Sequence, residues 1–331
     1  MKLALIAAAS LVLAGVAFGQ AASESSASPV SFEVASIKAS GPLDPAAILA
    51  GKAHFGIYIN KARVDIGNVN LMGLICWAYN VKPNEIAGNP DWLNVGMNAD
   101  RFDILAKIPD GAGESQVPEM MQTLLAQRFH LQAHREKRDL HVYVLVVGKS
   151  GSKLKEADPE PDETAQAADG SSAEPAPAKG EVSFGNGENR VSMKPTSRGM
   201  AINTKETGPM RIVPAAGSLR MEADRMSMET FAGLLSQYLG RPVVDQTELK
   251  GKYRVSLEIA MDTVMTMARN MGMNAPGATN SAATPADAAS EPSSGSSLFA
   301  AVQQLGLRLE SRKLPYDIVV IDHVERIPTE N

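Results

Sequence analysis

The chain has a single cysteine, Cys76, among its 331 residues. One thiol excludes an intramolecular disulfide, so packing has to stabilise the folded protein. Cys76 lies in an apolar stretch with helical spacing, where a buried thiol is more common than a nucleophilic one. We therefore interpret Cys76 as a structural residue.

The chain also has no large excess of charge of either sign. It contains 32 basic and 37 acidic residues, which give a net charge of −5. The two signs are interspersed, so the chain has neither a basic stripe for nucleic acid nor a polybasic patch for anionic lipid. The sequence therefore predicts no nucleic-acid partner.

Long apolar runs are absent except at the N-terminus. Lys2 precedes an apolar run from Leu3 to Val16, and small residues in the Ala17–Gly19 triplet offer a cleavage site before Gln20. The alternative is a membrane anchor, but the run is shorter than the roughly 20 residues that a spanning helix needs. We predict a signal peptide over residues 1–19, a periplasmic or secreted location, and no membrane span after signal removal.

Linear catalytic motifs are lacking as well, including G-x-S-x-G, H-E-x-x-H, the Walker loop and G-x-G-x-x-G. The stretch Ser150–Lys153 spells S-x-x-K, but it follows a strand pattern and its partner motifs do not occur. Asp91, Asp103 and Asp245 sit at turns or strand edges, where Asp usually binds local backbone. We expect no catalytic residue and no cofactor.

Two groups of residues could bind a metal ion. His130 and His134 alternate with apolar residues, which predicts a strand with both imidazoles exposed and His141 across a hairpin. The second group consists of methionines, whose soft thioethers suit Cu(I), and is therefore a candidate copper site. The alternative is an adaptable methionine surface at the start of an amphipathic helix. The candidate thioethers are those of Met261, Met265 and Met267.

Aromatic residues are scarce at 5%, yet three of them lie close together in sequence: Trp77, Tyr79 and Trp92. Trp and Tyr often anchor binding sites, so these side chains could line a groove for a ligand or peptide. The alternative is that they pack against a small core.

Two halves of the chain repeat the same pattern. In each, an alternating strand leads to a helix capped by Asn70 or Ser227, and a second strand and a second helix follow. We expect each half to close with two strands, joined by turns at residues 136–138 and 314–315. The pattern predicts an α+β fold of two related small β-α-β-α-β-β modules joined by a disordered linker. The alternative is two unrelated α+β domains.

The module boundaries follow from composition. Residues 30–150 form the first module and residues 218–328 the second, with a disordered insert at about 262–297. Between them, residues 151–217 are predicted to be a low-complexity linker with irregular strands.

Two resemblances extend this interpretation. The second half, through the stretch Gly240–Tyr253, is similar to the secretin/TonB short N-terminal domain, which brings no catalytic residues. Most of the mature chain resembles an exported acidobacterial family of unknown function, although that family's Thr-Gly reads Thr247-Glu248 here. The segments that carry this second resemblance are 31–38, 74–79, 88–93, 101–104, 124–129, 240–245 and 304–307. Some relatives look linked to membrane-bound metallopeptidase sensors, which implies a sensory or partner-binding role.

These patterns together favour a non-enzymatic extracytoplasmic binding or sensory protein. Its partner is expected to be an envelope protein or peptide, taken up as an added strand at a sheet edge. The alternatives are an envelope hydrolase with a non-linear active site and a Met-rich copper-binding protein.

Overall fold

The computed structural model describes residues 30–41, 44, 46–47, 53–94, 99–157, 181–204, 207–270 and 293–330, with backbone alone at 94, 188, 266–270 and 293–297. The predicted signal peptide and the segments 158–180 and 271–292 lie outside the described residues. With 25% of the described residues helical and 47% in strands, the predicted α+β class is confirmed.

Helices and strands are numbered in chain order. The α-helices are α1 (Leu71–Tyr79), α2 (Val117–Arg128), α3 (Met228–Leu239), α4 (Met261–Asn270) and α5 (Ser293–Gln304). Short 3₁₀ helices span Pro83–Glu85, Asp91–Asn94, Glu114–Gln116 and Gly187–Asn189. None of the described helices is long and apolar enough to cross a membrane.

The strands form three sheets. The first sheet has the order β1 (Val34–Ala39), β5 (Arg101–Lys107), β3 (Arg63–Asn70), β2 (Gly56–Asn60). The second sheet has the order β7 (Lys155–Glu156), β14 (Lys252–Ala260), β12 (Ser218–Ser227), β11 (Gly208–Ala215), β10 (Gly199–Thr204), β9 (Val191–Thr196), β8 (Val182–Phe184). The central sheet has the order β13 (Val243–Asp245), β6 (Gln132–Val147), β15 (Leu307–His323), β4 (Ile86–Ala87).

The first helix of each half begins where the sequence predicts. Asn70 Oδ1 accepts a hydrogen bond of 2.8 Å from Gly73 N, and Ser227 Oγ accepts one of 3.1 Å from Thr230 N. These side chains satisfy backbone donors that have no partner within the helix. Local capping therefore sets both helix starts.

The predicted pair of closing strands in each half is wrong. β6 and β15 each run unbroken through the expected turns and pair antiparallel along their length, with Glu136 opposite Ile318 and Pro315 opposite Asp139. The polar residues that suggested turns belong instead to an exposed part of this two-stranded ribbon. Each strand supplies the other's backbone partners, so no turn is needed there.

The interval assigned to the linker contains regular structure. β8, β9, β10 and β11 join β12 through a continuous series of antiparallel pairings. They therefore extend the second sheet. Residues 158–180 of the predicted linker lie outside the described part of the chain.

The two halves are interlocked through the central sheet. β13 of the second half pairs parallel with β6 of the first, and β4 of the first half pairs parallel with β15 of the second. Val319 and Ile321 of β15 are buried in the first core, whereas Leu145 of β6 is buried in the second. Each core is thus completed by a strand from the opposite half.

Candidate binding surface at the outer edge of β14

The β3–β5 pair of the first sheet and the β12–β14 pair of the second sheet have the same register. β3 and β5 pair Ile66 with Ile104 and, after a bulge, Val69 with Phe102. β12 and β14 repeat this arrangement, and the pairs that correspond are Ala223 with Val255 and Met226 with Tyr253. In both sheets one paired residue follows the bulge, and the residue that caps the next helix comes directly after it.

The outer neighbours of β5 and β14 differ. In the first sheet, β1 pairs with β5 from Phe102 to Lys107. In the second sheet, β7 pairs only with Tyr253 and Arg254. No strand among the residues that the structure describes pairs with the outer side of β14 beyond Arg254. The described part of the second half therefore contains only a short counterpart of β1.

Backbone alternation identifies the groups that face outward. Ala157 N donates a hydrogen bond of 2.8 Å to Lys252 O, so Lys252 faces the β7 side of β14. Alternate residues of an antiparallel strand face opposite neighbours. The N–H and C=O groups of Ser256, Glu258 and Ala260 consequently point away from β12. We call these three residues the open edge.

The side chains of β14 give the open edge two different faces. Val255, Leu257 and Ile259 are buried in the second core, whereas Ser256 and Glu258 are exposed on the opposite face. An added strand would continue both faces, with alternate side chains beside the core and in solvent. A ligand strand of alternating apolar and polar residues fits this surface.

Glu258 provides a negative charge on the solvent face. Ser218 Oγ donates a hydrogen bond of 2.6 Å to Glu258 Oε1, and Arg220 Nη2 lies 3.6 Å from Glu258 Oε2. The hydrogen bond from Ser218, followed by the charge of Arg220, lowers the pKa of the Glu258 carboxyl group. Glu258 is therefore ionised at neutral pH.

Two other sheet edges are engaged by side chains. On β2, Asn186 Oδ1 accepts from Ile59 N and Asn186 Nδ2 donates to Ile59 O, both at 2.6 Å. On β1, Arg128 Nη2 donates to Ala35 O at 3.4 Å. Side chains thus occupy outward-facing backbone groups of β1 and β2, in contrast to the open edge.

The histidines proposed as metal ligands are separated. His130 precedes β6 with a left-handed φ of 48° and lies 3.1 Å from Glu325, so it does not share a strand with His134. His134 Nδ1 lies 2.7 Å from Asp322 Oδ2, and His141 lies opposite Lys313. Among the described residues, no group of three or more His, Cys, Asp or Glu side chains could hold a metal ion.

The methionines proposed for copper lie at the start of α4. Met261 N donates to Gly217 O at 3.0 Å, and the Met265 side chain is 42% exposed. The side chain of Met267 is outside the described part of the chain. Copper binding by this group stays a prediction.

The three aromatic residues pack against the first core, partly buried. Trp77 Nε1 donates to Asn189 Oδ1 at 3.0 Å, and Tyr79 O accepts from Arg135 Nη2. Trp92 lines a small recess with Asp100 and Arg326, of which neither Trp77 nor Tyr79 is part. That recess does not bring the three rings together.

Cys76 and two of the aspartates have structural surroundings. Burial, and then the charge of Glu85, raises the pKa of the Cys76 thiol to about 12. Asp103 Oδ1 accepts from Asn68 N at 2.8 Å, and Asp245 Oδ1 accepts from Thr247 N at 2.9 Å. Asp91 starts a 3₁₀ helix, and Ser152 Oγ accepts from Leu154 N within the S-x-x-K stretch.

Sequence reasoning did not locate the open edge. A comparison of the segments that precede β3 and β12 could have located it, because the strand pattern of β1 has no counterpart before β12. That comparison requires knowing that β1 pairs with β5, which is a contact between distant segments.

The fold and the open edge define a class of protein: an α+β protein of two interlocked halves, with an unpaired strand edge in the described part of the second half. The chain belongs to the family described as Protein of unknown function (DUF3738), whose model matches residues 72–324. The matched residues run from α1 to the end of β15, and β1, β2 and β3 of the first half precede them. No curated protein and no solved structure matches the chain.

Proposed function

We propose that this protein is a non-enzymatic extracytoplasmic binding or sensory protein that takes up an extended segment of a partner on the open edge. The partner is an envelope protein or peptide. The observation that carries the proposal is a difference between the outer edges of two sheets with the same register. β5 has β1 as its neighbour, whereas among the described residues no strand pairs with the outer side of β14 beyond Arg254.

The energetics suit strand addition. A partner strand would satisfy five outward-facing backbone groups, namely the N–H and C=O of Ser256 and Glu258 and the N–H of Ala260, whose C=O accepts the first hydrogen bond of α4. Each protein hydrogen bond contributes a net of about 0.5–1.5 kcal/mol. Side chains then add selectivity, because opposite charges directly across two strands attract. We expect a basic partner residue opposite Glu258 and alternating apolar residues toward the second core.

Internal duplication accounts for the matched registers. The short strands support this, since Ile86 lies opposite Val319 and Val243 lies opposite Tyr143 in corresponding places. We infer that one small module related to the secretin/TonB short N-terminal domain was duplicated and then interlocked. In this interpretation β1 fills an edge in one copy, and a partner fills it in the other.

Export is part of the proposal and is supported by the N-terminal sequence pattern alone. Expression of the full chain in a Gram-negative host tests it. N-terminal sequencing of the periplasmic or secreted product should find Gln20 first. A cytoplasmic product that keeps Met1–Gly19 would contradict this part.

The test of strand uptake measures amide hydrogen exchange in the full chain. The amides of Ser256, Glu258 and Ala260 should exchange freely, whereas those of Val255 and Leu257 should be protected by β12. A synthetic strand peptide of alternating apolar and basic residues, of a length that pairs with residues 256–260 beyond the part of β14 already paired with β7, should slow exchange at the open edge. Protection without peptide, or no slowing with it, would exclude the proposal.

Two variants give a matched control. Ser256→Pro removes one outward donor and is compatible with an edge position, whereas Ser256→Ala keeps that donor. We expect Ser256→Pro to weaken peptide binding by about 5- to 10-fold, the value of roughly one hydrogen bond. Ser256→Ala should bind like the unmodified chain. Equal binding by both variants would show that the backbone donor plays no part.

A further inference from the structure

A separate cleft of about 400 Å³ lies where the two halves meet. Its polar lining comes from Lys82 of the first half, Glu229 of α3, Asp245 of β13 and Tyr316 of β15. Because three regions distant in sequence contribute to it (Lys82, the consecutive elements α3 and β13, and Tyr316), the cleft exists only in the interlocked fold. Its size is within the range usual for small-molecule sites.

Lys82 places a positive charge in this cleft. Lys82 N donates to Glu85 Oε2 at 2.9 Å, which positions the residue at the start of a 3₁₀ helix. The ammonium group lies against α3, where a Cβ added at Gly233 would be 3.1 Å from Lys82 Nζ. The side chain is half-buried, and within the described part of the chain the ammonium has no ion-pair partner. It is therefore available to an anionic group.

Two carboxylates share the cleft with this cation. Glu229 lies in the first turn of α3 and is exposed, and Asp245 ends β13 and is half-buried. Neither carboxylate forms an ion pair within the described residues. One cation and two anions therefore line the same small volume.

Tyr316 contributes an uncharged side chain to the lining of the cleft. Its hydroxyl donates to Glu85 Oε1 at 2.7 Å, and burial together with this hydrogen bond raises the pKa of Tyr316. The Glu85 carboxylate is engaged in turn by Lys82 N. The Tyr316 hydroxyl and the Glu85 carboxylate are thus positioned before any ligand arrives, which reduces the entropy lost on binding.

We propose that this cleft binds a basic α-amino acid, with its carboxylate at Lys82 and its two ammonium groups at Glu229 and Asp245. A neutral amino acid would leave one carboxylate unmatched, and a dicarboxylate would meet two like charges. The site is distinct from the open edge and does not depend on it.

Isothermal titration of the full chain with L-lysine tests the proposal. L-Lysine should bind more tightly than L-leucine, glutarate or cadaverine, which lacks the carboxylate. Lys82→Met keeps the length of the apolar stem and removes the charge, and should weaken L-lysine binding by about 10- to 100-fold. Lys61→Met, at an exposed turn, is the control and should bind normally.

Cadaverine binding distinguishes a local effect of Lys82→Met from misfolding of that variant. Its weak binding should be kept or strengthened in Lys82→Met, because cadaverine has no carboxylate for Lys82 and the variant removes a like charge, and it should be reduced in Asp245→Asn. Binding of L-lysine no tighter than that of cadaverine, or equal binding by Lys82→Met and the unmodified chain, would overturn the proposal.

Discussion

The hydroxyl of Tyr316 donates a hydrogen bond of 2.7 Å to Oε1 of Glu85, across 231 residues of sequence. Tyr316 lies in the middle of β15, and Glu85 ends the 3₁₀ helix that precedes β4. The bond therefore joins the shared ribbon to the first half, next to the place where β4 pairs with β15.

We expect Tyr316→Phe to lower the free energy of unfolding by about 1–2 kcal/mol, since the ring is kept and one hydrogen bond to a carboxylate is lost. Denaturant unfolding followed by circular dichroism measures the difference. Tyr58→Phe, which loses a 3.1 Å bond to Phe55 O at a half-buried position, is the comparison and should cost less.

The same bond predicts a pH dependence. The pKa of Tyr316 is raised in the folded protein, so its contribution to stability is fully present below the unfolded-state pKa of about 10. The contribution is lost as pH rises above that value. Between pH 9 and about 11, Tyr316→Phe should therefore lose less stability than the unmodified chain. Parallel losses in the two proteins would contradict the assigned bond.

The interlocked cores predict cooperative unfolding. Leu145 belongs to β6 of the first half but is fully buried in the second core. Leu145→Ala should cost about 2–4 kcal/mol and should reduce amide protection in both halves. Leu105→Ala, at a side chain that is 46% exposed, should change stability by less than about 0.5 kcal/mol. Protection that persists in the first half after the second has unfolded would show independent domains.

The features predicted correctly from sequence are local. Asn70 and Ser227 cap their helices through contacts three residues away, so the sequence pattern contains the whole interaction. The unbroken course of β6 and β15 depends on pairing between strands far apart in the chain. Polar residues at 136–138 and Pro315 indicated turns because the partner strand could not be seen from local sequence.

The sequence predicted irregular strands between residues 151 and 217 but not their pairing into the second sheet, for a related reason. Val182–Phe184 and its neighbours are short, and Gly and Pro interrupt the segments between them. Their place is set by distant contacts, such as the bonds between Asn186 and Ile59 and the edge-on packing of Phe184 against Phe55. Composition alone does not contain this information.

Asn186 is expected to be a strong local determinant of this arrangement. Its amide makes two hydrogen bonds of 2.6 Å with the backbone of Ile59, in place of a neighbouring strand on β2. Asn186→Ala should cost about 1–2 kcal/mol and should make the Ile59 amide exchange rapidly. Asn203→Ala, at an exposed position of β10, should leave both quantities unchanged. Continued protection of the Ile59 amide in Asn186→Ala would contradict this role.

The raised pKa of Cys76 predicts an unreactive thiol. Only the thiolate reacts with disulfide reagents, and burial raises the pKa of this thiol to about 12. At pH 8 the native protein should react at least about 100-fold more slowly than the denatured chain, because unfolding returns the thiol to a pKa near 8.5.

The raised pKa of the Cys76 thiol also determines how the stability of the protein changes with pH. The folded-state pKa lies above the unfolded one, so stability is lost as pH rises from about 8.5 toward the folded value. Cys76→Ala should show a smaller loss over that interval. Because Cys76 is the only cysteine, each labelled molecule reports this site alone. Labelling of the native chain at the denatured rate would show that α1 does not bury the thiol.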